Sequence, residues 1–165
     1  MQQGHEGHGG MNRGMMRKHY GMLAVNLILS AIVMYLAMFT MIWSFADFFN
    51  NLNMVYMALI MWAPMGILMI ITMASMFMDK KLNIILYVAF AVILALAFFA
   101  MREQTLVGDR QFVRAMIPHH SGAILMCNRA SIRDQEIRDI CFKPGGIVES
   151  QERVIKQMNA ILKRL

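Results

Sequence analysis

Three long runs without charged side chains constrain the fold of this chain more than any other feature. They cover about residues 22–45, 54–78 and 82–101, and each is long enough to cross the hydrocarbon core of a bilayer as a helix. The composition agrees, because 58% hydrophobic residues, 16% charged residues and a mean hydropathy of +0.49 are too apolar for a soluble domain. We therefore predict a three-helix transmembrane region over residues 22–101, with the lipid bilayer as its partner.

The positions of Lys and Arg predict the orientation of these helices, since cytoplasmic ends collect basic residues. With the N-terminus in the cytoplasm, the inner ends carry Arg13, Arg17, Lys18, Lys80 and Lys81, and the outer ends carry Arg102, Arg110 and Arg114. We expect the N-terminus inside and the C-terminal region outside the cytoplasm. The net charge of +6 is largely explained by these anchors, and no basic stripe interleaved with aromatic residues indicates nucleic-acid binding.

The two ends of the chain differ from the apolar centre. Residues 1–21 are rich in Gly, Met and His and are predicted to be disordered. Residues 109–165 are polar and have helical periodicity: a first helix from Asp109, which Pro118 either kinks or divides, a break at residues 143–146, and a last helix over about 147–164. The predicted fold is all-α, and this small helical hairpin is expected to be completed by homo-oligomerisation, since it has little core of its own.

Residues 116–127 hold two thioethers, two imidazoles and one thiol, and no charged side chain. On a helix, Met116, His119, His120, Met126 and Cys127 fall within a sector of about 120°. Sulfur ligands beside imidazole favour copper as Cu(I). Zinc on the two His and Cys127 is a weaker alternative that leaves the Met residues unused. An ordinary amphipathic helix, with Met and Cys as core residues, stays open as a third interpretation.

Methionine also recurs along the second apolar run at steps of three or four, which draws a thioether stripe down one helix face: Met54, Met57, Met61, Met65, Met69, Met73 and Met76. A shorter stripe on the first run contains Met34, Met38 and Met41. Such stripes suit a Met-lined path for Cu(I). Methionine at helical spacing is also common packing at helix contacts, so a copper transporter is a weaker prediction than a copper-binding protein.

The pattern Phe112-x-x-x-Met116-Ile117-Pro118-His119-His120-x-x-Ala123-Ile124-x-Met126, with Gln151 and Met158 downstream, resembles the bacterial "domain of unknown function 305" family and its membrane-anchored branch. The resemblance implies a ferritin-like helical domain that handles copper or confers copper tolerance in the periplasm, anchored in the bacterial inner membrane. By position, Met116, His119, His120 and Met126 match the metal-associated motif, and Gln151 and Met158 match the facing helix. Val154 stands where the family usually has Glu.

The full set of candidate metal ligands is Met116, His119, His120, Met126, Cys127, Gln151 and Met158. An enzyme is not expected, because a di-iron site would need inward carboxylates on the His-bearing face, and no nucleophile set or phosphate-binding motif occurs. Two functions remain: copper handling outside the cytoplasm, and a non-metal oligomeric membrane scaffold in which the same residues pack. One bridge between Cys127 and Cys141, or two free thiols, are both open.

Overall fold

The structure, a computed structural model, describes the backbone of residues 7–165 and the side chains of residues 14–165. Over this part of the chain every regular element is helical, which confirms the all-α prediction. In chain order the elements are α1 (Gly7–Ala37), two 3-10 helices (Met38–Met41 and Phe45–Asp47), α2 (Leu52–Thr72), α3 (Lys80–Arg102), α4 (Asp109–Arg129), α5 (Gln135–Phe142) and α6 (Ile147–Leu162).

Three stretches of the described chain are long and apolar enough to cross a membrane: Gly14–Met41, Leu52–Thr72 and Lys80–Arg102. Their number agrees with the prediction, but the first one ends at Met41. The predicted end at residue 45 is wrong, because α1 stops at Ala37 and Phe45 begins a separate 3-10 helix. Residues 42–45 carry no charge, so hydropathy could not separate them from the preceding helix.

The predicted disordered tail is also partly wrong, because α1 begins at Gly7; residues 1–6 lie outside the described residues. The C-terminal end of the predicted tail has packing partners. Tyr20 donates a hydrogen bond from its hydroxyl to Asn83 Oδ1 over 2.7 Å, and its ring centroid lies 5.2 Å from that of Phe77. These contacts stabilise helix in a segment whose composition alone resembles a solvated tail.

The chain divides into two compact units. The first contains most of α1 and residues Tyr56–Arg102, and its core consists of Leu23, Leu27, Ala63, Ile70, Phe77 and Phe90. Gly66 lets α2 and α3 approach closely, because a Cβ atom there would lie 2.6 Å from Phe90 Cζ. Small residues of this kind are typical of helix contacts inside membranes.

The second unit contains Tyr35–Val55 and Glu103–Leu165. Its core is built where α4 packs on α6, from Val113, Ile117, Ile124, Ile155 and Met158. The predicted hairpin missed α5, a short helix capped by Asp134, whose carboxylate accepts a hydrogen bond from Ile137 N over 3.1 Å. A disulfide between Cys127 and Cys141 joins α5 to α4.

Candidate metal site on helix α4

Helix α4 is continuous through Pro118, so the residues on both sides of the proline belong to one helix. Proline has no N–H, and the carbonyl of Arg114, four residues earlier, therefore lacks its helical partner. Asn51, which is 1% exposed, places its Nδ2 at 3.5 Å from that carbonyl oxygen and also donates to Phe49 O over 2.9 Å. A side chain from outside the helix thus covers the point where the helical hydrogen bond is missing.

Ser121 and Gly122, directly after the paired histidines, dock residues 38–51, here called the interhelical segment. The Ser121 hydroxyl is fully buried; it donates to Asp47 Oδ2 over 2.6 Å and accepts from Trp43 N over 2.8 Å. A Cβ on Gly122 would lie 3.2 Å from Met41 O. Sequence reasoning assigned no role to Ser121, Gly122 or Asp47. The missing helical bond at Pro118 predicts that some donor must approach, but it does not say which segment supplies it.

His120 is held by the facing helix. Its Nδ1 makes a hydrogen bond with Gln151 Oε1. An amide oxygen only accepts, so Nδ1 carries the proton in this contact, and in the neutral imidazole Nε2 then keeps its lone pair. This is the arrangement in which metal-binding imidazoles are usually oriented by a neighbour. Gln151, predicted as a ligand, is therefore placed to orient His120 instead.

His119, Met116 and Met126 lie on the outer side of α4. The His119 ring is exposed, and its centroid lies 6.3 Å from that of His120 with the planes at 73°. Met126 is 55% exposed, whereas Met116 is half-buried and packs partly against the core of this unit. Three soft or borderline donors are thus accessible on one face, with His120 at its edge.

The remaining two candidates point to other roles. Met158 is buried in the core between α4 and α6, so its thioether packs rather than projecting toward the imidazoles' exposed side. Cys127 is bonded to Cys141, with 5.7 Å between the Cα atoms. A disulfide sulfur is not the thiolate that binds metals, so the inclusion of Cys127 among the ligands is wrong for this oxidised form.

Within residues 14–165, no group of three or more His, Cys, Asp or Glu side chains is arranged to hold a metal ion. The alternative of zinc on His119, His120 and Cys127 loses its thiolate to the disulfide. A metal site on α4 therefore depends on the thioethers as much as on the imidazoles. Hard cations, which require oxygen ligands, do not suit this face.

Comparison with known proteins places the second unit in a family. Residues 100–164 match the family model described as Domain of unknown function (DUF305). "Uncharacterized protein L153" of Acanthamoeba polyphaga mimivirus is 33% identical over 123 residues, which is 72% of this chain and 76% of that protein. The chain belongs to the DUF305 family. No solved structure matches it significantly. Since neither description states an activity, the chemistry must be argued from the DUF305 helices α4–α6.

A cleft of about 570 Å³ lies between the DUF305 helices and the interhelical segment. It is lined by Trp43, Asp47, Ile124, Glu152, Ile155, Lys156, Asn159, Ala160 and Lys163. None of the seven predicted metal ligands borders this cleft. The candidate metal site therefore lies outside this cleft.

The methionine stripe of α2 does not present one uniform surface. Met57 and Met61 are 40% and 51% exposed, whereas Met65 and Met69 pack against the core of the first unit. The last two members of the predicted stripe, Met73 and Met76, lie beyond the end of α2 at Thr72. At least part of the stripe is thus structural packing.

Proposed function

We propose that this DUF305 protein is a membrane-tethered copper-binding protein that holds Cu(I) outside the cytoplasm. Its ligands are drawn from Met116, His119, His120 and Met126 on α4. The single observation that carries the proposal is the contact between His120 Nδ1 and Gln151 Oε1, because it leaves the Nε2 lone pair available for a metal. The proposed function is copper handling or tolerance.

The donor chemistry selects the ion. Thioethers are neutral, soft ligands that favour Cu(I), and imidazole accepts both copper and zinc. The face contains no carboxylate that would attract calcium or magnesium. Neutral ligands also leave the charge of the ion nearly uncompensated, which suits a site that releases the bound ion.

The proposed compartment has two supports. The Lys and Arg count favours an N-terminus in the cytoplasm and a C-terminal unit outside it. The Cys127–Cys141 disulfide agrees, since such bonds persist in the periplasm and other oxidising compartments and are rare in the cytosol. We therefore place the DUF305 unit in the periplasm, anchored in the inner membrane of a bacterium.

The test is a Cu(I) competition titration of the full-length protein in detergent, purified without a metal-affinity tag. We expect His119→Gln, His120→Gln and Met116→Leu each to weaken binding about tenfold or more, which corresponds to about 1.4 kcal/mol. Met22→Leu is the matched control, because the substitution removes a thioether that is not on α4. Met22 lies on α1 and is 59% exposed. Equal affinity of the wild-type protein and the combined α4 variant would refute the proposal.

A non-metal membrane scaffold is the second candidate function. It is favoured by the burial of Met158 and by the packing of Met116 against the same core, since both thioethers already have a structural role. The same titration separates the two functions. A scaffold would bind no more Cu(I) than its Met-to-Leu and His-to-Gln variants, whereas its assembly state would depend on the α4 face.

A further inference from the structure

The outer side of α4 carries an apolar stripe with an imidazole at its centre. This α4 stripe consists of Phe112, Met116, His119, Ala123 and Met126. Phe112 and Met126 are 53% and 55% exposed, His119 is exposed, and Met116 and Ala123 are half-buried. The steps between its members are four, three, four and three residues. None of these five side chains carries a fixed charge.

The stripe is unusual for a helix face that meets water. An outward face is normally polar, yet between residues 112 and 126 the only Lys, Arg, Asp or Glu is Arg114. At roughly 100° per residue, Arg114 lies about 160° around the helix from Phe112. Alternating steps of three and four are the pattern with which one helix packs along another. An exposed apolar stripe of this kind indicates a partner.

We infer that the partner is a second copy of this chain, whose α4 packs antiparallel on the first around a two-fold axis near His119, and that the two copies share one Cu(I) site. The sharing of the ion rests on the proposed function. The pairing itself rests on the symmetry of the stripe, since Phe112 and Met126 both lie seven residues from His119.

This symmetry makes the stripe complementary to itself in the antiparallel direction. A two-fold axis at His119 sets Phe112 opposite Met126 of the partner subunit, which is a favourable sulfur–aromatic pair. It also sets Met116, three residues from the axis, within one residue's rise of Ala123 of the partner subunit, four residues from it, so that a large side chain meets a small one. A parallel pairing would instead oppose Phe112 to its own copy and leave a gap between two alanines.

The pairing also completes the metal site. One copy brings no three His, Cys, Asp or Glu together among its described side chains, and His119 faces outward. The two-fold axis brings a second imidazole to the same point, with the Met116 thioether of each copy about 4.5 Å along the seam. The seam is short, about 21 Å from residue 112 to residue 126, but tethering both copies to one membrane raises their effective concentration.

Thiol cross-linking in native membranes, with a copper chelator present, tests the pairing. The native cysteines are bridged, so an introduced cysteine is the reactive thiol. His119→Cys should cross-link to its own copy through a short bifunctional reagent. Phe112→Cys alone should not, because antiparallel pairing offsets the two thiols by about 21 Å. Phe112→Cys should, however, cross-link to Met126→Cys when the two variants are co-expressed.

The control is Gln157→Cys, an exposed position on α6, which should give no cross-link. If Phe112→Cys and His119→Cys each cross-link to their own copies, the pairing is parallel and the inference is overturned. Absence of every cross-link would also overturn it. If, in addition, labelling of His119→Cys rises on detergent extraction, the bilayer and not a second copy covers the stripe.

A second variant guards against effects on folding. Phe112→Glu adds a charge at an exposed position, so each copy should keep its helix content while the dimer dissociates. The wild-type protein should bind one Cu(I) per two chains, and Phe112→Glu should lose at least tenfold in affinity. One ion per chain would overturn the shared site. If the predicted cross-links form but the protein binds no copper, the proposed function is refuted and, with it, the shared ion. If copper binds but no cross-link forms, only the pairing is refuted.

Discussion

Removing the Ser121 hydroxyl should detach the interhelical segment from α4. This hydroxyl is fully buried and joins two groups of the segment: it donates to Asp47 Oδ2 over 2.6 Å and accepts from Trp43 N over 2.8 Å. Ser121→Ala leaves the Asp47 carboxylate, which is 7% exposed, without this donor. It also leaves the Trp43 N–H without its acceptor.

The magnitude follows from the two bonds. A hydrogen bond to a charged group contributes about 1.5–3 kcal/mol, and an unsatisfied buried donor costs about 1–3 kcal/mol. Because the segment can shift and admit water, we expect a net loss of about 2–3 kcal/mol for Ser121→Ala. For a chain of this size that corresponds to a fall in Tm of about 4–12 °C.

The assay is thermal unfolding of the full-length protein in detergent, combined with amide hydrogen exchange at Trp43. Ser150→Ala is the matched control, because the Ser150 hydroxyl donates only to Ile147 O of its own helix and its loss should cost about 0.5 kcal/mol or less. A Ser121→Ala protein that melts with the wild type and keeps the Trp43 amide protected would refute the reasoning.

Three other outcomes follow from the packing, the disulfide and the charge distribution. Gly66→Ala should lower the free energy of unfolding by about 1–3 kcal/mol, since its Cβ would lie 2.6 Å from the Phe90 ring. The control Gly21→Ala, where a Cβ would have nothing within 4 Å, should be neutral or stabilising. Equal melting temperatures of the two variants would contradict this. Reduction, or Cys127→Ser with Cys141→Ser, should cost about 3 kcal/mol for a loop of this length, and thiols that react before reduction would contradict the bridge. Protease added to intact spheroplasts should cleave the DUF305 unit, and its protection would reverse the proposed orientation.

The three long apolar helices were predictable because length and hydropathy are local properties. The run around Lys80–Arg102 was located within two residues at both ends, whereas α2 ends at Thr72, six residues before the predicted end at residue 78. The end of the first run was not located either, since it is set by tertiary contacts. Residues 42–45 are as uncharged as the helix before them, and the hydrogen bond that Trp43 N donates there goes to Ser121, far along the sequence.

The sequence pattern predicted which candidate residues share one side of α4, but not which contacts each of them makes. Spacing correctly placed His119 and Met126 on one accessible side of α4. It could not distinguish Gln151 as a ligand from Gln151 as the hydrogen-bond partner of His120. Nor could it decide whether Cys127 is a thiol or half of a disulfide, because that depends on how close α5 comes.

The thioether ligands are the central claim, and copper X-ray absorption of the Cu(I)-loaded full-length protein tests them most directly. The account predicts both sulfur and nitrogen neighbours around copper, and a loss of sulfur neighbours in Met116→Leu with Met126→Leu. The control Met22→Leu should leave the spectrum unchanged. A copper ion surrounded only by nitrogen and oxygen, or one whose sulfur neighbours survive both substitutions, would contradict the account.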